Sequence, residues 1–222
     1  MADSLEFPAL YVEGDDDLHT IIHLLHRHNV ALDKELGPVL VKKAQGDQGV
    51  LNAITTATKA STNRSVGFVV DANGAVADRW QAVGDRLVEI GLTLPSAIPL
   101  DGFIGDSPTF KARVGVWIMP DNVTDEGKLE HLVETLVPTG DALFGHAKTT
   151  TDQAVALGAR FPVKDRTKAE LHCWLAWQEE PGRPFGTAIK AHFFRHDSEV
   201  ALRFASWFRK LFPTVSMAEH DE

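Results

Sequence analysis

Ala9-Leu10-Tyr11-Val12-Glu13-Gly14-Asp15-Asp16-Asp17 begins as an apolar run and stops abruptly on acidic residues; Val66-Gly67-Phe68-Val69-Val70-Asp71-Ala72-Asn73 repeats the arrangement. Short apolar runs bounded by turn formers read as buried strands. A helical pattern follows each. After the first, Leu18, Ile21, Ile22, Leu24 and Leu25 form one apolar stripe over about Asp16 to His28. Asp15 or Asp16 caps that helix, where acidic side chains suit the positive end of its dipole.

Reading outward extends the alternation. Pro38 to Lys43 is a second strand, and Gly46 to Ala60 a helix with Val50, Leu51, Ile54 and Ala57 on one side. After the third strand, a helix runs from about Val76 to Ile90 and stops at Gly91, a natural C-terminal glycine. Residues 93–113, with Pro95, Pro99 and Pro108, read as a loop-rich insertion holding one short strand near Ile98 to Ile104. Val114 to Met119 is a fourth core strand ending on Pro120-Asp121-Asn122, and Leu129 to Leu136 is helical. Strands alternating with helices of this length predict an α/β fold of βαβ units: a mostly parallel sheet of about four core strands flanked by helices.

Beyond Gly140 the pattern is wholly helical, at about 141–157, 164–178, 185–194 and 198–211, with Pro181-Gly182-Arg183-Pro184 as punctuation. The expected organisation is an α/β core over 1–140, a helical region over 141–215 packed on it, and a frayed tail over 216–222.

Composition narrows the function. The chain has 222 residues, 44% hydrophobic and 24% charged, enough for a real core. Its net charge of −9 argues against a surface built for tight, sequence-independent wrapping of DNA, which needs a broad basic footprint. A nucleic-acid enzyme stays open, because bound metal ions offset clustered carboxylates locally. Cys173 is the only cysteine, which removes an intramolecular disulfide and Cys-rich zinc sites and suits a reducing cytoplasm. No signal-peptide pattern or membrane-length apolar run is present, so the expected location is cytoplasmic.

The acidic strand ends carry the chemistry. In an open parallel sheet, ligands gather outside the carboxyl ends of the strands. Glu13 and Asp71 are therefore expected at one sheet edge. Asp17 lies four residues after Glu13 across the strand-to-helix turn, and alternation puts Asn73 on the same side of the chain as Asp71. A hard cation such as Mg²⁺ takes a few carboxylate oxygens plus water, which makes this edge a candidate magnesium site. The competing reading is purely local: Asp15 to Asp17 as helix caps, and Asp71-x-Asn73 as an Asx turn.

Glu13-Gly14 after the first strand and Asp71-x-Asn73 after the third resemble the signature of the Toprim domain, which is Glu-Gly followed by Asp-x-Asp. That domain is shared by type IA and II topoisomerases, bacterial primases, RecR-like repair proteins and OLD-type nucleases. The chain most resembles small stand-alone Toprim-like proteins related to the OLD nucleases. The resemblance lies in Val12-Glu13-Gly14-x-x-Asp17, Val70-Asp71-Ala72 with Arg79-Trp80, Gly115 to Asn122, Gly127-Lys128-Leu129-Glu130 and Lys168 to His172. It implies a Toprim or Rossmann-like core and a Mg²⁺- or Mn²⁺-dependent nuclease cutting DNA or RNA. Glu13 would be a metal ligand or general acid/base. Asp71 and Asn73 would be ligands, Glu130 matches the acidic position that ends the third motif of OLD-like nucleases, and Lys168 would stabilise charge on the scissile phosphate. The sheet-edge argument adds Asp17 and, after the fourth strand, Asp121 as further candidate ligands. Asn73 departs from the family's aspartate: an amide oxygen can ligate a hard cation but brings one negative charge less. That departure keeps a second reading, a non-catalytic Toprim-like module working with a partner. OLD-type enzymes pair the domain with an ATPase, so a separate ATPase is one such partner.

Other features are weaker. His19, His23 and His26 share a helix face at zinc-ligand spacing, without the Glu of a His-Glu-x-x-His motif. The C-terminal aromatics, from Trp174 to Phe212, read as core or as an oligomer surface rather than base-stacking platforms, which leaves a homo-oligomer open. No Walker loop, GxGxxG or GxSxG motif is present.

Overall fold

The computed structural model describes residues 7–30, 32 and 38–213. The expected tail at 216–222 lies outside them. Five strands form one sheet: β1 (Ala9–Val12), β2 (Leu40–Lys43), β3 (Ser65–Asp71), β4 (Phe103–Ser107) and β5 (Ala112–Met119), in the order β2-β1-β3-β5-β4. All neighbours are parallel except β4, which runs antiparallel to β5 at the sheet's edge. The fold is α/β with a mostly parallel sheet, as the alternation predicts. The short strand of the insertion begins later than its residues suggest. A turn closed by Gly102 N–H on Pro99 C=O at 2.9 Å occupies the expected start, and Gly102 takes φ +79° there.

Three helices follow the first three strands: α1 (Asp15–Arg27), α2 (Asp47–Lys59) and α3 (Val76–Glu89). The rest are α4 (Leu129–Thr135), α5 (Ala142–Ala156), α6 (Arg166–Leu175), α7 (Phe185–Lys190) and α8 (Glu199–Leu211), with a 3-10 turn at Val163–Asp165. Helix α7 is shorter than its periodicity suggests, because His192 adopts φ +66° and breaks the run. Among the described residues no helix is long and apolar enough to cross a membrane.

Side-chain alternation divides the core. Val66, Phe68, Val70, Val114, Val116 and Ile118 face α2 and α3, whereas Leu10, Val12, Val69, Trp117 and Met119 face α1 and α4 to α8. The C-terminal helices therefore complete one face of the sheet. Trp207 of α8 donates its indole N–H to Phe103 C=O at 3.1 Å and lies 5.8 Å from the Trp117 ring. Gly115 permits this approach, since a Cβ there would fall 2.4 Å from Leu211 and 3.1 Å from Trp207. Trp174, Phe194, Phe204, Trp207, Phe208 and Phe212 are fully buried, which assigns these aromatics to the core.

Candidate functional site

Strands β1 and β3 are neighbours, so their carboxyl ends deliver Glu13 and Asp71 to adjacent places. The Asp71 N–H donates to Glu13 Oε1 at 3.0 Å, and Asp71 Oδ1 accepts from Leu129 N–H at 3.2 Å. The ends of β1 and β3 and the start of α4 are thereby joined through two carboxylates. Asp17 sits in the first turn of α1 and turns back, its Oδ2 accepting from Gly14 N–H at 3.1 Å. This is the reciprocal half of a capping box, with Asp where Glu or Gln is usual.

All three carboxyl groups have raised pKa values, and the Glu13 charge acts on both aspartates. Burial, then the Glu13 charge, pushes Asp71 up to about 8, with Asp17 and Glu130 adding to it. The same two causes push Asp17 up to about 7. Glu13 is raised too, mainly by burial and against the pull of the Asp71 N–H, Arg79 and Lys128. Full ionisation of all three, partly withdrawn from water, is unfavourable without a cation.

Glu130 and Lys168 belong to the same edge. Glu130 starts α4, and its charge acts on both Asp17 and Asp71. Lys168, on α6, reaches Glu130 Oε1 at 3.2 Å and Asp16 Oδ2 at 3.5 Å. Burial lowers its pKa, but these two carboxylates outweigh that and raise it. Lys168 is a protonated ammonium at the rim of the carboxylate group.

Two predicted ligands stand apart. Asn73 is exposed with φ +50°, because the chain leaves the strand after Asp71 and the period-two alternation ends there. Asp121 closes its own turn: Oδ1 accepts from Val123 N–H at 3.1 Å and Thr124 N–H at 2.9 Å, and Oδ2 from the Thr124 hydroxyl at 2.9 Å. It is not among the charges that act on Glu13, Asp17 or Asp71.

The structure also adds residues. Asp47 opens α2 and binds the buried Arg79 guanidinium through both carboxylate oxygens; Arg79 Nε donates to Ala72 C=O at 3.2 Å. Asp47, Arg79 and Lys128 all act electrostatically on Glu13. The sheet-edge rule could have found Asp47, since it follows β2 as Glu13 follows β1. Nothing local marks its pairing with Arg79, which spans 32 residues.

Among the described residues, no three His, Cys, Asp or Glu side chains converge closely enough to hold a metal ion as they stand. The donor chemistry nonetheless fits a hard cation: oxygen ligands, mutually repelling and partly desolvated. The histidine face of α1 offers less, because the His26 ring accepts the Leu32 N–H at 3.1 Å and is tied to the backbone.

Residues 8–213 match the family described as protein of unknown function, DUF3226. The chain belongs to the DUF3226 family. No curated protein and no solved structure matches it. The match to DUF3226 begins one residue before β1 and runs past the end of α8, so it takes in the sheet, the carboxylate edge and the C-terminal helices.

Proposed function

We propose that the edge formed by Glu13, Asp17 and Asp71 is a divalent-metal site for phosphodiester hydrolysis in nucleic acid, in the manner of the Toprim domain the sequence resembles. One observation carries this reading. Partial burial, and then the charge of Glu13, raise Asp17 and Asp71 toward neutral pH at the carboxyl end of a parallel sheet, and a dication would relieve all three carboxyl groups. Mg²⁺ or Mn²⁺, when bound, supplies positive charge to the phosphate oxygens and acidifies a water.

The protein's own groups account for the rest. Glu13, more basic than a solvated carboxylate, takes the proton of the attacking water. The water oxygen bonds to phosphorus, the P–O bond to the leaving alkoxide breaks, the alkoxide takes a proton from solvent, and Glu13 returns to solvent the proton it accepted. Lys168 stands across the edge as a charged donor for the developing negative charge, and Glu130 orients it.

The second reading, a non-catalytic module associating with a partner such as an ATPase, is favoured by the exposed placement of Asn73 and by the open spacing of the carboxylates. Incubation with single- and double-stranded DNA and RNA in Mg²⁺ or Mn²⁺, beside Glu13→Ala, separates the two. The hydrolase reading expects metal-dependent cleavage that the variant loses. No cleavage, or equal cleavage by the variant, sinks it.

A further inference from the structure

Beside the carboxylate edge lies a cavity of about 680 Å³, between the start of α2, the Asn73-Gly74 turn, the segment leading into α4, and the start of α6. Its wall carries Arg79, Lys128, Lys164 and Arg166, four cations in a chain of net charge −9. Three of them are held in place: Arg79 by Asp47, Lys128 by Asp165 at 3.4 Å, and Arg166 by Asp152 and Glu170. Lys164 is exposed and has no ion-pair partner among the described residues. Of the carboxylates in the lining, Asp47 is ion-paired with Arg79, whereas Asp125, which accepts Val76 N–H at 2.8 Å, and Glu126 have no cation partner among the described residues.

Cavity and edge share a wall. Asp47, Arg79 and Lys128 line the first and act electrostatically on Glu13 in the second. Asn73 lies in the cavity lining, where its left-handed backbone places it. The volume is that of a small-ligand site, suited to a small molecule or a chain end rather than the side of a duplex.

We propose that this cavity receives a phosphate monoester, carried by a mononucleotide or by the end of a strand. Lys128, Lys164 and Arg166 surround the phosphate, and Asn73 supplies an uncharged amide donor. An aspartate at position 73 would repel that ligand, which accounts for an amide there. The consequence for cleavage, that it falls beside a phosphorylated end, rests on the phosphodiester reading of the edge. Binding of the phosphate does not.

Binding is therefore measured in EDTA, where hydrolysis plays no part. The probes are AMP, inorganic phosphate, and an oligonucleotide bearing either a 5′-phosphate or a 5′-hydroxyl. Phosphorylated probes should bind at least about tenfold tighter than the hydroxyl-ended strand, and Lys164→Glu should weaken them about tenfold, a difference of about 1.4 kcal/mol. AMP outcompeting the phosphorylated strand assigns the site to a mononucleotide, and the reverse order to a strand end. Asn73→Asp should weaken phosphate binding and leave Mn²⁺ affinity unchanged. A rise in Mn²⁺ affinity with phosphate binding intact overturns the proposal, as does equal binding of phosphate- and hydroxyl-ended strands. Cleavage by a protein that binds no phosphate in EDTA overturns the cavity alone. Phosphate binding without cleavage overturns the edge reading alone.

Discussion

The Asp71 N–H donates to Glu13 Oε1 at 3.0 Å, so the residue that ends β3 holds the carboxylate that ends β1. This bond sets the two acidic groups side by side and brings their charges into conflict. The chemistry proposed for the edge follows from that conflict.

Metal-free protein should lose stability as pH rises through neutrality. Asp71 and Asp17 are raised from 3.8 to about 8 and about 7, so the folded chain keeps protons that the unfolded chain releases near pH 4. Their contribution is fully present below about pH 4 and is lost as pH climbs through 7 to 8. Each such group changes stability by at most about 1.4 kcal/mol per pH unit. Urea titrations in EDTA from pH 5.5 to 8.5 should show the decline, and Asp71→Asn should flatten it. A stability that rises over this range contradicts the assignment.

Divalent cations should reverse the decline. Mg²⁺ or Mn²⁺ binds the ionised carboxylates, so the increase in Tm should be larger at pH 8 than at pH 6. At a hundredfold excess over Kd the stabilisation is about 2.7 kcal/mol. Glu13→Gln should lose most of it. An equal shift in wild type and variant would place the cation elsewhere.

Lys168→Ala should reduce cleavage about 10²-fold while leaving the fold nearly unchanged. The side chain is 41% exposed, and ion pairs so placed contribute about 0–1 kcal/mol. Lys168→Arg keeps the charge and should recover part of the rate. Thermal melts beside single-turnover assays separate the two effects.

Arg79→Ala should be the most destabilising of these changes. It removes a guanidinium only 9% exposed and strands both Asp47 and the Ala72 carbonyl. Breaking a buried pair from one side costs about 3–5 kcal/mol, and the low end applies because Asp47 keeps 31% exposure. Arg79→Lys should recover little, since an ammonium cannot bridge both Asp47 oxygens and the carbonyl in one plane. Chemical denaturation of the three proteins tests this.

Much of the edge was legible before folding. Glu13, Asp17 and Asp71 sit where an apolar run meets a helical pattern, and both periods are local properties of the chain. Glu130 and Lys168 were placed by family resemblance, and α6 does bring Lys168 to the edge across 38 residues from its partner. Asn73 and Asp121 were assigned by carrying strand alternation and the strand-end rule into turns. There φ +50° and an Asx turn override both. Asp47 follows β2 as Glu13 follows β1, but nothing local marks its bond to Arg79, 32 residues away.

The residues alone determine that β1 and β3 end in carboxylates, since apolar alternation and turn composition act over a few positions. They also determine that α8 has an apolar face to bury. Strand order, the meeting of Glu13 with Asp71, and the shared wall between edge and cavity depend on which distant segments pack together. That choice rests on long-range burial such as Trp207 over Gly115, which no short window of sequence contains.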